Sequence, residues 1–231
     1  MTEPVRAVIL DFDGLIVDTE TPIFDAWFEA YRRRGQVLRL DDWQHALGTH
    51  GGFDPLEQLD ELCGGSLERD ALLAEVKQAT ARGCEGRPLL PGVLALVRDA
   101  AALGLGRAVA SSSSSGWVEG WLQRHGVLEL FDAVVTRDHV SRVKPDPELF
   151  QLAARRLGVP PAACVVFEDS PNGMRAAIAA GARCVAVLST LTRTLPRPEV
   201  DLVLDSLAER PLASILQALQ LGELGLARSR G

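Results

Sequence analysis

The sequence has very little lysine. Of its 24 basic residues only Lys77 and Lys144 are lysines, and the others are arginines. The net charge is −7 and the pI is near 5.2, which argues against a nucleic-acid-binding protein, because such a protein needs a basic surface. We therefore expect no nucleic-acid partner. The ammonium group of lysine is a more compact charge than the guanidinium of arginine. A lysine in a chain that otherwise uses arginine therefore indicates a position where a compact charge is needed.

Cysteine and long apolar runs are scarce as well. The cysteines at positions 63, 84, 164 and 184 form no C-x-x-C pair, so we expect free thiols in a reducing compartment, with Cys164 and Cys184 buried because they lie in or beside apolar runs. No apolar run reaches the ~18 residues of a membrane span, and no basic segment precedes the first apolar run. We therefore expect a cytoplasmic protein with no membrane partner, either a monomer or a weak homodimer.

Short apolar runs recur along the chain and are separated by segments with helical periodicity. Because the runs do not alternate with polar residues, they are typical of strands buried on both faces of a sheet. Strand and helix patterns in turn predict an α/β fold, with a Rossmann-like, doubly wound parallel sheet as its core. The apolar runs are residues 5–10, 105–110, 133–135, 164–167, 183–188 and 202–204.

The stretch from 19 to 87 breaks this alternation. Its apolar residues follow helical spacing throughout, and it contains no strand-like run. Gly86 and Pro88 mark the return to the earlier pattern. We predict an inserted all-helical cap domain at 19–87, and a core domain formed by residues 1–18 and 88–231.

Acidic residues follow the first and the fourth apolar runs. Residues 11–14 read DFDG, and Glu168 and Asp169 follow the fourth run. Carboxylates this close repel one another, so their proximity calls for a cation, and Mg²⁺ prefers such oxygen ligands. Taken alone, each pair could equally form a turn or cap a helix. The carboxyl ends of parallel strands share one edge of a sheet, however, and this favours a common site.

A serine run and a lysine complete the polar pattern. Residues 111–115 follow the second apolar run and precede a helical segment, which favours an anion site at a helix start over a flexible linker. Pro145 restricts Lys144 to an extended backbone, so the lysine side chain has a defined direction. On its own a lysine is typical of a solvated surface, and only the other motifs give this one weight.

The order of these motifs resembles the haloacid dehalogenase superfamily, specifically its phosphatase and phosphomutase branch with a helical cap after the first strand. The matching motifs are residues 11–14, Ser111, Lys144 with Pro145, and Glu168 with Asp169. The resemblance extends over about residues 5–187. It implies magnesium-dependent hydrolysis of small phosphate monoesters.

The resemblance also implies a role for each motif. Asp11 would be the nucleophile that forms an aspartyl-phosphate, and Asp13 would act first as general acid and then as general base. Ser111 and the backbone N–H of Ser112 would bind the transferring phosphoryl group, and Lys144 would neutralise charge between the phosphate and Asp11. The implied magnesium ligands are Asp11, Asp13 through its carbonyl oxygen, Asp169 and, at or near the ion, Glu168.

Other reactions on the same fold are less well matched. A dehalogenase needs no second aspartate, because a halide leaves without a proton. A sugar-phosphate mutase would carry a histidine where Ile23 stands, and a cationic cap loop where residues 47–52 read LGTHGG. A non-catalytic sensor of phosphorylated metabolites has no use for a general acid at Asp13.

We expect the substrate to be a small phosphorylated metabolite that the cap covers. Gly51 allows close approach of the backbone, while Thr49 and His50 offer polar groups at the tip of the cap loop. Thr19 and Ser112 complete the expected substrate contacts. The segments that enter and leave the cap are the candidate hinges.

Overall fold

The computed structural model describes residues 3–48 and 53–221. These residues form six strands and nine α-helices. The strands are β1 (Ala7–Leu10), β2 (Gly106–Ala110), β3 (Ala133–Val135), β4 (Cys164–Glu168), β5 (Arg183–Val187) and β6 (Leu202–Leu204). The helices are α1 (Glu20–Arg33), α2 (Leu40–Trp43), α3 (Pro55–Leu62), α4 (Arg69–Cys84), α5 (Val93–Ala102), α6 (Ser115–Arg124), α7 (Glu148–Arg156), α8 (Pro171–Ala179) and α9 (Leu212–Leu221).

The strands form one parallel sheet in the order β3-β2-β1-β4-β5-β6. All six predicted strands are present, and the α/β fold class is confirmed. β1 lies in the middle, where Leu10 pairs with Val109 of β2 on one side and with Phe167 of β4 on the other. The strand order reverses at β1, and ligands of doubly wound sheets bind at such a point, beyond the carboxyl ends of the strands.

Helices cover both faces of the sheet. Val8 and Leu10 of β1 belong to the apolar cluster that includes α5, α6 and α9. Ala7 and Ile9 belong to the cluster on the opposite face, which includes α7 and α8. Successive side chains of a strand point to opposite faces, so a strand covered on both sides must be apolar at every position. This explains the continuous apolar runs of the sequence.

Helices α1 to α4 form an insertion between β1 and α5, and no strand element occurs in its described residues. They share an apolar cluster of their own, to which Leu195 of the sheet-bearing part also contributes. The fully buried Tyr31 stabilises this cluster, because its hydroxyl donates to the carbonyl of Pro55 at 2.8 Å. The division into a core of residues 1–18 and 88–231 and a cap of residues 19–87 stays a prediction.

The two segments that join the insertion to the sheet lie side by side. Val17 forms an antiparallel bridge with Leu89. Close to this bridge, Asp18 and Arg87 form an ion pair. The entry and exit of the helical insertion are therefore held together as a pair.

All four cysteines are free thiols, as expected, and three of them are buried. Burial raises the pKa of Cys84 and of Cys164 to about 11. Within residues 3–48 and 53–221, no helix has both the length and the apolar character that crossing a bilayer requires.

Gly92, which precedes α5, gives a test of this packing. Its φ is 89°, and a Cβ there would lie 2.2 Å from the carbonyl carbon of Leu207. We expect Gly92→Ala to lower the free energy of unfolding by roughly 2–4 kcal/mol, because it adds a backbone clash to the cost of a left-handed conformation. Urea unfolding measures the effect. Gly120→Ala is the matched control, since nothing lies within 4 Å of its added Cβ and a helical alanine stabilises by about 0.5–1 kcal/mol. Equal stability changes in the two variants would contradict the packing described.

Candidate active site

Three polar motifs meet at the carboxyl edge of the sheet. Asp11 directly follows β1, and its N–H still donates to the carbonyl of Phe167 at 3.0 Å. Ser111 follows β2, and its N–H donates to Val135 at 3.0 Å. Glu168 is the last residue of β4. The backbone hydrogen bonds of the central strands thus continue up to these residues and fix the positions of their Cα atoms.

Lys144 reaches the same edge from the loop between β3 and α7. The residue is fully buried, and its ammonium group forms ion pairs with Asp11 Oδ1 and, at 2.6 Å, with Glu168 Oε1. The Nζ atom also lies 5.0 Å from the ring centre of Phe150. Burial alone would lower the pKa of Lys144, but the charges of Asp11 and Glu168 raise it overall. The lysine therefore stays charged beside the expected nucleophile.

Asp169 adds a third buried carboxyl group to the two that pair with Lys144. Asp11, Glu168 and Asp169 each offer an oxygen, and these atoms lie within 4.8 Å of one another. Burial, followed by the charge of Glu168, raises the pKa of Asp11 to about 8 and that of Asp169 well above its usual range. The Oδ2 atom of Asp169 is buried and has no hydrogen-bond partner among the described residues. A crowded set of hard oxygens with one unpaired atom fits a divalent cation such as Mg²⁺.

Glu168 contributes to this cluster mainly through contacts within the protein. Its Oε1 accepts from Lys144, and its Oε2 accepts from both the N–H and the hydroxyl of Ser170 at 3.0 Å. Both oxygens are therefore already bonded, so Asp11 and Asp169 are the better candidates for direct metal ligands. Ligation by the Asp13 carbonyl stays a prediction.

The Asp13 carboxyl group accepts hydrogen bonds from four side chains. Its Oδ1 is bound by the hydroxyl of Thr19 at 2.7 Å and by the indole Nε1 of Trp117 at 2.9 Å. Its Oδ2 is bound by the hydroxyls of Ser111 at 3.2 Å and Ser113 at 2.6 Å. The two aspartates of the DFDG motif thus differ in their neighbours. Asp11 lies among charged groups, the ammonium group of Lys144 and two other carboxyl groups. Among the residues that the structure describes, the carboxyl group of Asp13 accepts only from these neutral donors.

The structure differs from the sequence-based expectation at Thr19. We expect this residue to contact the substrate, but it is fully buried and its hydroxyl donates to Asp13. Its position just before α1 turns the side chain inward, so it orients the aspartate instead. The hydroxyl of Ser112 donates to the carbonyl of Gly48 at 2.9 Å, and phosphate binding by the Ser112 N–H stays a prediction.

Leu47 and Gly48, the described residues of the expected cap loop, touch the sheet-bearing part of the molecule next to the site. Gly48 has a φ of 69°, and a Cβ there would lie 2.1 Å from the hydroxyl of Ser170. The side-chain amide of Asn172 donates to the carbonyl of Leu47 at 3.0 Å. Glycine at position 48 therefore permits the backbone to pack closely against Ser170, and contact of this loop with the substrate stays a prediction. The other expected contacts, Thr49, His50 and Gly51, lie outside the described residues.

A cavity of about 480 Å³ lies between the polar edge of the sheet and the helical insertion. Asp11, Asp13 and the serines line one side, and apolar side chains line most of the other. Glu20 is the acidic residue on the insertion side. Its desolvation and the charges of Asp13 and Asp11 raise its pKa well above the usual range. The described lining residues from the insertion side are Glu20, Ile23, Trp27, Trp43, Ala46, Gly48, Phe53, Pro55 and Leu73.

Three residues with polar groups that contact Asp13 or line the cavity are absent from the sequence-based set: Glu20, Ser113 and Trp117. Trp117 has helical spacing with Val118 and Trp121, so its indole is indistinguishable in sequence from a core residue. Ser113 is hidden within a run of identical residues. Glu20 has the sequence context of an ordinary acidic residue in a first helical turn.

Asp169→Asn tests whether the acidic cluster is a cation site. Removing one of the crowded charges relieves repulsion, so we expect the metal-free protein to unfold at a higher temperature than the wild type. In the wild type, free Mg²⁺ at 100 times its dissociation constant should stabilise the fold by about 2.7 kcal/mol. We expect this stabilisation to be absent from Asp169→Asn. Thermal unfolding with and without MgCl₂ measures both effects. Asp25→Asn, on an exposed position of α1, is the control that keeps the magnesium shift. A full magnesium shift in Asp169→Asn would contradict the site.

Known proteins are similar to this chain in sequence and in fold. A family model described as haloacid dehalogenase-like hydrolase matches residues 5–181. YhcW of Bacillus subtilis (strain 168), which carries a provisional phosphatase name, is 43% identical over 215 residues, covering 93% of this chain and 98% of YhcW. The fructose-1-phosphate phosphatase YqaB of Escherichia coli (strain K12) is 37% identical over 194 residues, covering 81% of this chain and 98% of YqaB.

A solved structure supports the same relationship. The crystal structure of CbbY from Rhodobacter sphaeroides in complex with phosphate has a TM-score of 0.68 and 31% sequence identity. The match covers 89% of this chain and 96% of that chain. Together with the family model, which spans most of the sequence, these relatives show that the chain belongs to the haloacid dehalogenase-like hydrolases.

Proposed function

We propose that this chain is a phosphatase that hydrolyses small phosphate monoesters with the help of Mg²⁺, through an aspartyl-phosphate formed on Asp11. The observation that carries the proposal is the position of Asp11: it lines the cavity, is paired with Lys144, and lies beside Asp169, whose Oδ2 has no hydrogen-bond partner among the described residues. Asp13 lines the same cavity. The phosphatase names of YhcW and YqaB support this reading.

The main obstacle to the reaction is charge repulsion. A carboxylate and a phosphate anion about 4 Å apart repel by about 4 kcal/mol per pair of unit charges, at an effective dielectric constant of about 20. Lys144 places one positive charge next to the attacking carboxylate. Asp11 and Asp169 would hold magnesium, which when bound supplies a second positive centre and stabilises charge on the phosphoryl oxygens.

The two aspartates divide the chemistry between them. In the first step an oxygen of Asp11 bonds to phosphorus while the ester P–O bond breaks, and Asp13 gives its proton to the departing oxygen. In the second step Asp13 takes a proton from water, the water oxygen bonds to phosphorus, and the bond to Asp11 breaks. Inorganic phosphate leaves, and both aspartates return to their starting states. The hydroxyl of Ser111 donates a hydrogen bond to Asp13, so it lies close enough to bind the phosphoryl group during these steps.

The cavity wall favours hydrolysis over a mutase reaction. A mutase passes through a bisphosphate, whose second phosphate needs a cationic partner. The described wall of the cavity contains no lysine or arginine, and Ile23 lies on it. Residues 49–52 add none, since their sequence is THGG. A second phosphate group would face apolar side chains and the carboxyl group of Glu20.

The same wall indicates the kind of substrate. A volume of about 480 Å³ and the aromatic side chains of Trp27, Trp43 and Phe53 suit a small, uncharged leaving group with an apolar face. Glu20 offers a hydrogen-bonding group for a hydroxyl. We therefore propose a small phosphorylated metabolite with a single phosphate group. The cytoplasmic location and the monomeric or weakly dimeric state stay predictions.

Asp11→Asn tests the nucleophile and separates an enzyme from a metabolite sensor. With 4-nitrophenyl phosphate and MgCl₂, we expect the wild type to release phosphate and the variant to lose about 10⁴-fold or more in kcat, because an amide cannot form the aspartyl-phosphate. Asp25→Asn should keep full activity. A wild type that binds phosphate esters without releasing phosphate would support a sensor instead.

Product analysis separates a phosphatase from a mutase. Incubation with a hexose 1-phosphate, MgCl₂ and the matching hexose bisphosphate should release inorganic phosphate faster than it forms the 6-phosphate isomer. The physical reason is the lack of a cationic partner for a second phosphate on the described cavity wall. Isomer formation that outpaces phosphate release would refute the choice of hydrolysis.

A further inference from the structure

Asp13 has one partner of fixed direction, the indole of Trp117. Thr19, Ser111 and Ser113 bind Asp13 through hydroxyls, which rotate and can either donate or accept. An indole N–H can only donate. The bond from Trp117 Nε1 to Asp13 Oδ1, at 2.9 Å, therefore keeps Oδ1 an acceptor and leaves Oδ2 as the oxygen that exchanges a proton.

Neighbouring side chains hold this indole in place. Trp117 lies in the first turn of α6, and its ring packs edge-on against Trp121 with a centroid distance of 5.8 Å. Trp121 in turn stacks on His125 at 5.9 Å, and the guanidinium of Arg124 lies 4.7 Å from its ring centre. The indole is thus held by side chains of its own helix.

Trp117 also lies between two cavities. It borders a cavity of about 540 Å³ between α4 and α6, whose walls include Arg82 and Cys84. Asp13 borders the substrate cavity on its other side. The indole thus contacts Asp13 and also borders the second cavity.

We propose that Trp117 is a positioning residue, which orients the Asp13 carboxyl group for proton transfer. The inference rests on the proposed phosphatase function, in which Asp13 first gives a proton to the leaving oxygen and then takes one from water. Without the indole N–H, the carboxyl group can rotate and Oδ1 loses its fixed donor. Both proton transfers then start from a poorly oriented group, and they become slower.

Trp117→Phe removes the N–H and keeps an aromatic ring against Trp121. With 4-nitrophenyl phosphate the leaving anion is stable and departs without a proton, so formation of the aspartyl-phosphate needs little from Asp13. Breakdown of the aspartyl-phosphate still needs Asp13 as a base. We expect kcat to fall by about 10- to 100-fold, a part of the roughly 10²–10⁴ that acid–base catalysis contributes. We expect kcat/KM to stay within about 3-fold.

Rapid-mixing kinetics give an independent measurement. When breakdown is slow, Trp117→Phe should release a burst of 4-nitrophenolate close to one equivalent per active site before the slow steady state. Gln123→Ala, at an exposed position of the same helix, is the control and should keep kcat within about 2-fold. A fall of kcat and kcat/KM together in Trp117→Phe, or no fall at all, would overturn the proposal.

A double variant tests whether Trp117 acts through Asp13. In the background of Asp13→Asn, adding Trp117→Phe should change kcat by less than about 2-fold, because residues that act as one unit are not additive. An equal loss in both backgrounds would show that Trp117 acts on its own and would refute a positioning role. Failure of the proposed function looks different, since the wild type itself would then release no phosphate in these assays.

Discussion

One buried ammonium group balances the negative charges on which this site depends. Lys144 forms ion pairs with both Asp11 and Glu168, and all three side chains are hidden from solvent. Loss of the lysine, or of the carboxylates that it pairs with, would leave an uncompensated charge in the interior, which typically costs 3–5 kcal/mol. The loop after β3 is therefore tied to the ends of β1 and β4 by charge. The same contacts place a cation where a carboxylate must approach a phosphate.

The balance is incomplete, and this explains the affinity that we expect for a metal ion. Asp169 brings a further carboxyl group to the cluster, and its Oδ2 has no partner among the described residues. Burial and mutual repulsion make the charged forms of Asp11 and Asp169 unfavourable, as their raised pKa values indicate. The fold thus stores an electrostatic cost at the end of β1 that a divalent cation would remove.

Sequence reasoning succeeded where chain order determines spatial order. Parallel strands bring their carboxyl ends to one edge, so the positions of Asp11, Ser111 and Glu168 after apolar runs were enough to predict that they meet. Sequence reasoning failed where a contact depends on the direction in which a side chain points. Thr19 turns inward to Asp13, and Trp117 directs its N–H out of an otherwise apolar stripe. These contacts join residues up to 104 positions apart, and no local pattern encodes them.

The paired segments at the base of the helical insertion limit how the cleft can open. Val17 bridges Leu89, and Asp18 is ion-paired with Arg87. Two segments joined in this way would have to bend as a pair, because sliding or twisting one past the other would break the bridge and the ion pair. Opening would therefore swing the insertion along an arc. Glu20, two residues beyond the pivot, would hardly move, but Gly48 would travel far from Ser170. A substrate would thus meet Glu20 on entry and the cap loop only once the swing is complete.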